Sequence, residues 1–87
     1  MQKVTMFIIA SCPYCREAMC FIDELYKTDK RYRDVPLEQI DERKHPEIAN
    51  KYDYYYVPTF YVGEKKAHEG ASSLQAVKRV FDEALNS

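Results

Sequence analysis

Two thiols stand two residues apart in the stretch Ser11-Cys12-Pro13-Tyr14-Cys15, and a third, Cys20, lies five residues further on. On a helix, residues three apart are neighbours, so the second sulfur comes close enough to the first to close a disulfide across one turn. The segment before the pair, Val4 to Ala10, is apolar, and the segment after it is amphipathic. The pair therefore falls at a strand-to-helix junction. Cys12 then stands at the opening of a helix, where unpaired N–H groups and the positive end of the macrodipole favour a negative charge. A thiolate is such a charge, so the Cys12 thiol is expected to be acidified. Pro13 suits the first helical position, since it has no N–H to leave unpaired and its φ is already set. Thiol–disulfide exchange is the chemistry this arrangement favours. A zinc site would need a second close ligand pair, which Cys20, His45 and His68 do not form. Two inert core thiols would gain nothing from Pro13 and Tyr14 between them.

The whole chain, 1–87, is expected to be one domain. Its apolar content, with eight tyrosines and four phenylalanines, suffices for a single core. A net charge of −1 offers no electrostatic footprint for nucleic acid or an anionic membrane. No apolar run approaches the roughly 18 residues of a membrane span. The N-terminal apolar run is too short to read as a signal peptide and has no cleavage site before Cys12. The expected setting is thus the reducing cytoplasm, where a transient catalytic disulfide suits the chemistry better than a structural one. An odd number of cysteines also speaks against a disulfide scaffold.

These thiols need a frame. Val4 to Ile9 is rich in β-branched and large apolar residues, as in a strand buried on both faces. From Pro13 to about Lys27, Ala18, Phe21, Ile22 and Leu25 recur at helical spacing. Cys20 has Arg16, Glu17, Asp23 and Glu24 as its helical neighbours, so it falls on the polar side and reads as a spare surface thiol. Thr28 to Asp34 is charged and reads as a loop. Val35 to Ile40 reads as a second strand, placed at a sheet edge because Pro36 cannot donate to a ladder. Pro46 opens a short helix through Tyr52, with Ile48, Ala49 and Tyr52 inward. Phe60-Tyr61-Val62 and Lys66 to Glu69 form a hairpin about Gly63-Glu64-Lys65. Ser72 and Gln75 suggest a capping box for a last helix with the stripe Leu74, Val77, Phe81, Ala84 and Leu85. Of Tyr54, Tyr55 and Tyr56, alternate rings are expected to serve strand and core, and His45 and His68 carry no catalysis.

The order βαβαββα, with Cys12-Pro13-Tyr14-Cys15 after the first strand and Val57-Pro58 before the third, resembles the thioredoxin superfamily along essentially the whole chain. The first part is most similar to a glutaredoxin, with CPYC followed by Arg16 and Ala18. The latter part is more similar to a thioredoxin, in Pro46 to Tyr52, in Val57-Pro58-Thr59-Phe60 and in Gly70-Ala71 before the final helix. The resemblance implies an α/β thioredoxin fold in its minimal glutaredoxin-like form, a four-stranded mixed sheet flanked by helices. It also implies a cis Val57–Pro58 bond beside the sulfurs, with the Val57 backbone pairing to an extended substrate segment. Tyr14 would border that groove, and Pro13, Tyr56, Gly70 and Ser72 are expected to join Val57 and Pro58 in binding substrate.

The same resemblance implies an oxidoreductase in which Cys12 attacks a substrate disulfide and Cys15 resolves the mixed disulfide. Its partners would be disulfide-bearing proteins or small molecules, with a reductase or glutathione as electron donor, and the chain would act as a monomer without metal or tightly bound cofactor. Departures bear on the donor. Glutaredoxins commonly carry lysine, threonine and a glycine pair where this chain has Ile9, Tyr56 and Glu69-Gly70. Glu69 would repel a glutathione carboxylate, although the N–H groups opening the last helix and the Ser72 hydroxyl could hold one. Thioredoxins have a tryptophan-containing WCGPC and a buried aspartate, and here there is no tryptophan and Met6 takes the aspartate's place. Two other readings stay open, a glutathione-dependent [2Fe–2S] carrier and a redox-switch binding module without turnover.

Overall fold

A computed structural model describes residues 1–87. Strand β1 (Val4–Ile8) lies inside a four-stranded sheet of order β2-β1-β3-β4, with β2 spanning Leu37–Asp41, β3 Thr59–Val62 and β4 Lys65–Glu69. β1 runs parallel to β2 and antiparallel to β3, and β3 runs antiparallel to β4, so the sheet is mixed. Side chains alternate across a strand, and here that alternation divides the core in two. Val4 and Met6 of β1, with Phe60 and Val62 of β3, face a larger cluster built with helices α1 (Pro13–Thr28) and α3 (Leu74–Asn86). Phe7 and Tyr61 point the other way, toward Ile40 and toward Ala49 of the short helix α2 (Pro46–Ala49). β1 is covered on both faces, which explains its nearly unbroken apolar composition.

Within α1, Ala18, Ile22 and Leu25 are buried at helical spacing while Phe21 is partly buried. β2 is an edge strand, and Pro36 stands just before it with its carbonyl accepting the Val4 N–H at 2.8 Å. A proline there leaves no ladder bond unmade.

Three expectations need correction. The charged stretch expected to be a loop contains a 3-10 helix, Lys30–Asp34, opened by Asp29, whose carboxylate accepts the Arg31 N–H at 2.9 Å. Its anchor is Tyr32, buried against Phe81, with its hydroxyl donating to Asp82 at 2.6 Å. One aromatic among charges is enough to dock the turn. Second, α2 ends at Ala49, and the chain continues to Tyr52 through tighter bonds, Lys51 N–H to Ile48 O and Tyr52 N–H to Ala49 O.

Third, Ser73 caps α3, not Ser72. The Ser73 backbone is extended and its hydroxyl accepts the Ala76 N–H at 3.1 Å, so Gln75 sits one place too early to complete a capping box. The inward stripe is Val77, Val80, Phe81 and Ala84, whereas Leu74 in the first turn is 37% exposed and Leu85 is partly buried. Val80 therefore belongs in the core where Leu74 was expected.

Candidate active site at the start of the first helix

Cys12 is the N-cap of α1, with extended backbone and no side-chain capping bond. Pro13 follows at the first helical position and Arg16 N–H closes the first turn onto the Cys12 carbonyl at 3.3 Å. The chain turns out of β1 through a bond from Cys12 N–H to Ile9 O at 3.0 Å. This geometry aims the N–H groups of Tyr14 and Cys15 at the Cys12 sulfur. Cys12 is part-exposed, Cys15 is only 4% exposed, and all three thiols are free.

The two sulfurs are pushed in opposite directions. Burial opposes ionisation of Cys12, but the Cys15 and Tyr14 N–H groups, the Cys15 thiol and the Arg16 charge outweigh it and lower the pKa. Cys15 is raised to about 11, chiefly by burial, then by the Cys12 sulfur and the Glu42 charge, despite a hydrogen bond from Ile9 N–H. The pair is thus biased toward a thiolate at Cys12 and a thiol at Cys15.

The Val57–Pro58 peptide is cis, and the Val57 carbonyl lies 4.0 Å from the Cys12 Sγ. Pro58 is buried, and its carbonyl accepts the Gly70 N–H at 2.8 Å. Gly70 has φ +89°, while a Cβ there would meet nothing nearer than the Tyr56 Cβ at 3.8 Å. The backbone conformation, not space, is what asks for glycine.

Cys12 thus touches both Cys15 and Val57, and Pro58, next to Val57, is joined to Gly70. Pro13 and Tyr14 are exposed on the α1 side, Tyr14 at 56%, and Tyr56 is 69% exposed beside Gly70. Ser72 is apart from this set in its bonding, since its buried hydroxyl has no hydrogen-bond partner. The expectation that alternate tyrosines serve strand and core holds for Tyr54 alone. Its ring stacks on Phe7 at 4.9 Å and its hydroxyl donates to Glu42 at 2.9 Å. Tyr55 is 87% exposed, and residues 53–58 lie outside the strands. The loop is steered by Tyr54 and by backbone bonds, leaving the next two rings in solvent.

Sequence reasoning missed the carboxylate of Glu42 and read Glu69 for its charge without its contacts. Glu42 follows β2, bonded through its N–H to Ile8 O at 3.0 Å, and its charge acts on Cys15. Glu69 accepts from the Tyr55 and Tyr56 N–H groups and pairs with Lys66 at 2.9 Å. No local motif announces either contact. His45 precedes α2 with Nδ1 3.4 Å from Glu47, and His68 Nε2 lies 2.9 Å from Ala71 O, both in structural roles. No three His, Cys, Asp or Glu side chains gather as a metal cluster, and no helix is long and apolar enough to cross a membrane.

Comparison with known proteins agrees with this frame. The thioredoxin family model matches residues 2–85. Among solved structures, thioredoxin O1 from Arabidopsis thaliana in its oxidised state is 26% identical, with a TM-score of 0.68 over 95% of this chain and 77% of that one. The oxidised thioredoxin from Plasmodium falciparum is 21% identical, with a TM-score of 0.69 over 92% and 77%. A structure described as a malarial protein is 19% identical with the same TM-score and covers 94% of each chain. No curated protein sequence matches the chain significantly. A family match over nearly every residue, on a mixed sheet that sets a CxxC pair against a cis proline, means that this chain belongs to the thioredoxin family, whose chemistry is thiol–disulfide oxidoreduction.

Proposed function

We propose that this protein reduces protein or mixed disulfides by dithiol exchange, with Cys12 as nucleophile and Cys15 as resolving thiol. The observation that carries the reading is the opposite bias of two adjacent sulfurs, one acidified and part-exposed, the other buried and held protonated. The Cys12 thiolate attacks one sulfur of the substrate disulfide, a Cys12–substrate bond forms, and the other substrate sulfur leaves as thiolate. Cys15 then loses its proton to solvent and attacks the Cys12 sulfur. An intramolecular disulfide forms, the second substrate sulfur departs, and two electrons have passed to the substrate. Val57 would offer backbone groups to an extended substrate segment beside Cys12, with Pro13, Tyr14 and Tyr56 bordering it.

As electron donor we favour a disulfide reductase of the thioredoxin type, acting on a monomer in the reducing cytoplasm. Support comes from Ile9 and Tyr56, which stand where a glutathione site would have lysine and threonine. Glutathione is the second reading, and the partnerless Ser72 hydroxyl beside the start of α3 favours it. Two coupled assays on one preparation separate them. One supplies glutathione, glutathione reductase and a small mixed disulfide; the other supplies thioredoxin reductase and insulin. Turnover is expected in the second, and turnover confined to the first would reverse the donor. Activity in neither assay with an intact dithiol would reject reductase function. Cys12→Ser should abolish turnover, and Cys15→Ser should accumulate a mixed disulfide.

A further inference from the structure

The segment that carries Val57 and Pro58 to Cys12 has no ladder of its own, and its Tyr55 and Tyr56 rings are in solvent. Its backbone is held instead by the last residue of β4. Glu69 Oε2 accepts the N–H of Tyr55 and, at 2.9 Å, that of Tyr56, while Oε1 accepts from Lys66 Nζ at 2.9 Å. One residue on, Gly70 N–H bonds the Pro58 carbonyl at 2.8 Å. The end of β4 thus grips the loop on both sides of Val57.

In a regular strand Lys66 and Glu69, three apart, would point to opposite faces. They meet because the β3–β4 register shifts: Phe60 opposes His68 but Tyr61 opposes Lys66, leaving Ala67 as an extra residue. That bulge turns the two side chains to one side. Lys66, followed by the two N–H groups, holds the Glu69 carboxyl down at about 2, so it is charged at any working pH.

We propose that Glu69, braced by Lys66, is a positioning residue that holds Tyr55 to Val57 in register for docking an extended protein substrate beside Cys12. The idea rests on the reductase function proposed above. Without the carboxylate, both N–H groups would bond to water and the segment would sample other conformations, a disorder that must be removed when substrate binds. A small disulfide that meets only the sulfur needs no such register, so the effect should depend on substrate size.

The test compares wild type, Glu69→Ala, Glu69→Gln and Lys66→Gln on insulin and on a small aromatic disulfide. Amide exchange at Tyr55 and Tyr56 and the Cys12 thiolate titration are followed in parallel. Glu69→Ala should raise KM for insulin roughly three- to tenfold, the loss of one or two hydrogen bonds, with kcat within about twofold. Kinetics on the small disulfide and the Cys12 titration should not change, while exchange at the two amides accelerates. Glu69→Gln should fall between, because its amide oxygen can still accept both N–H groups without the charge, and Lys66→Gln should show a smaller loss of the same kind. If Glu69→Ala folds poorly, Glu69→Gln and Lys66→Gln carry the comparison. Unchanged KM for insulin in an active wild-type background, or equal losses on both substrates, would overturn the proposal. Wild type inactive on both would instead bring down the reductase reading and the docking role together.

Discussion

Removing the Cys12 sulfur should make Cys15 easier to ionise. Cys15 is raised from 9.0 to about 11 by burial first and then by the hydrogen bond and charge of Cys12, with Glu42 adding to them. Cys12→Ala deletes both Cys12 contributions and leaves burial, Glu42 and the Ile9 N–H in place. The Tyr14 and Cys15 N–H groups that face the sulfur would turn to water, while Pro13 and the Arg16 N–H bond to the carbonyl of residue 12 keep the helix start in place. At pH 8, a thiol with a pKa near 11 is thiolate in about one molecule in a thousand. The rise from 9.0 to about 11 bounds the gain at roughly a hundredfold, and because burial is the largest cause the gain should stop well short of that. The measurement is thiolate absorbance near 240 nm against pH, with alkylation of Cys15 followed by mass. Both use a Cys20→Ser background to silence the exposed third thiol. A Cys15 that ionises no more readily in Cys12→Ala than in the parent would refute the coupling. A parent Cys15 that ionises like an ordinary thiol would refute the burial argument as well.

Other perturbations test the frame that holds the pair. Ser73→Ala should cost about 1 kcal/mol in urea unfolding, the usual loss of an N-cap, whereas Ser72→Ala should cost nothing or stabilise, since its buried hydroxyl has no partner to lose. Phe81→Ala, at a fully buried ring in edge contact with Tyr26 and Tyr32, should destabilise by about 3–5 kcal/mol and be read as a lower unfolding midpoint. Tyr32→Phe should cost about 1 kcal/mol at pH 7 by removing the hydroxyl from Asp82. Burial opposes ionisation of Asp82, but the Tyr32 hydroxyl and Lys78 prevail and hold its pKa below the ordinary value. That stabilisation is present above the ordinary carboxylate pKa and fades as pH falls through the lower folded one, so the Tyr32→Phe difference should shrink in urea titrations carried below the ordinary carboxylate range.

How much of this could be read from the residues depends on how local each cause is. The dithiol junction was legible because an apolar run, a proline and an amphipathic stripe all lie within one segment. The edge position of β2 was legible for a similar reason, since Pro36, just before it, has no N–H to offer another strand. The cap of α3 was misread because Ser72 and Ser73 have equal chemistry, and the choice follows from the turn at Gly70, where φ is +89°. Tyr32 was hidden among five charged neighbours, and its burial depends on an α3 fifty residues away. Glu69 was read for its charge alone, yet its role depends on a bulge at Ala67 and on amides 13 and 14 residues back.

The coupling between the thiols also bears on the order of events. While both are free, the Cys12 thiolate keeps its neighbour protonated, so the buried sulfur is a poor competitor for substrate. Once Cys12 is bonded to a substrate sulfur it carries no charge and no longer accepts from Cys15. Two of the causes that raised Cys15 vanish together, and the second thiol becomes easier to deprotonate when a disulfide stands within its reach. What remains against it is burial and the charge of Glu42. Glu42→Gln should therefore speed resolution of a preformed Cys12 mixed disulfide in single-turnover measurements near neutral pH, and leave the initial Cys12 attack unchanged. A slower resolution would mean that the carboxylate takes the Cys15 proton rather than merely opposing its loss.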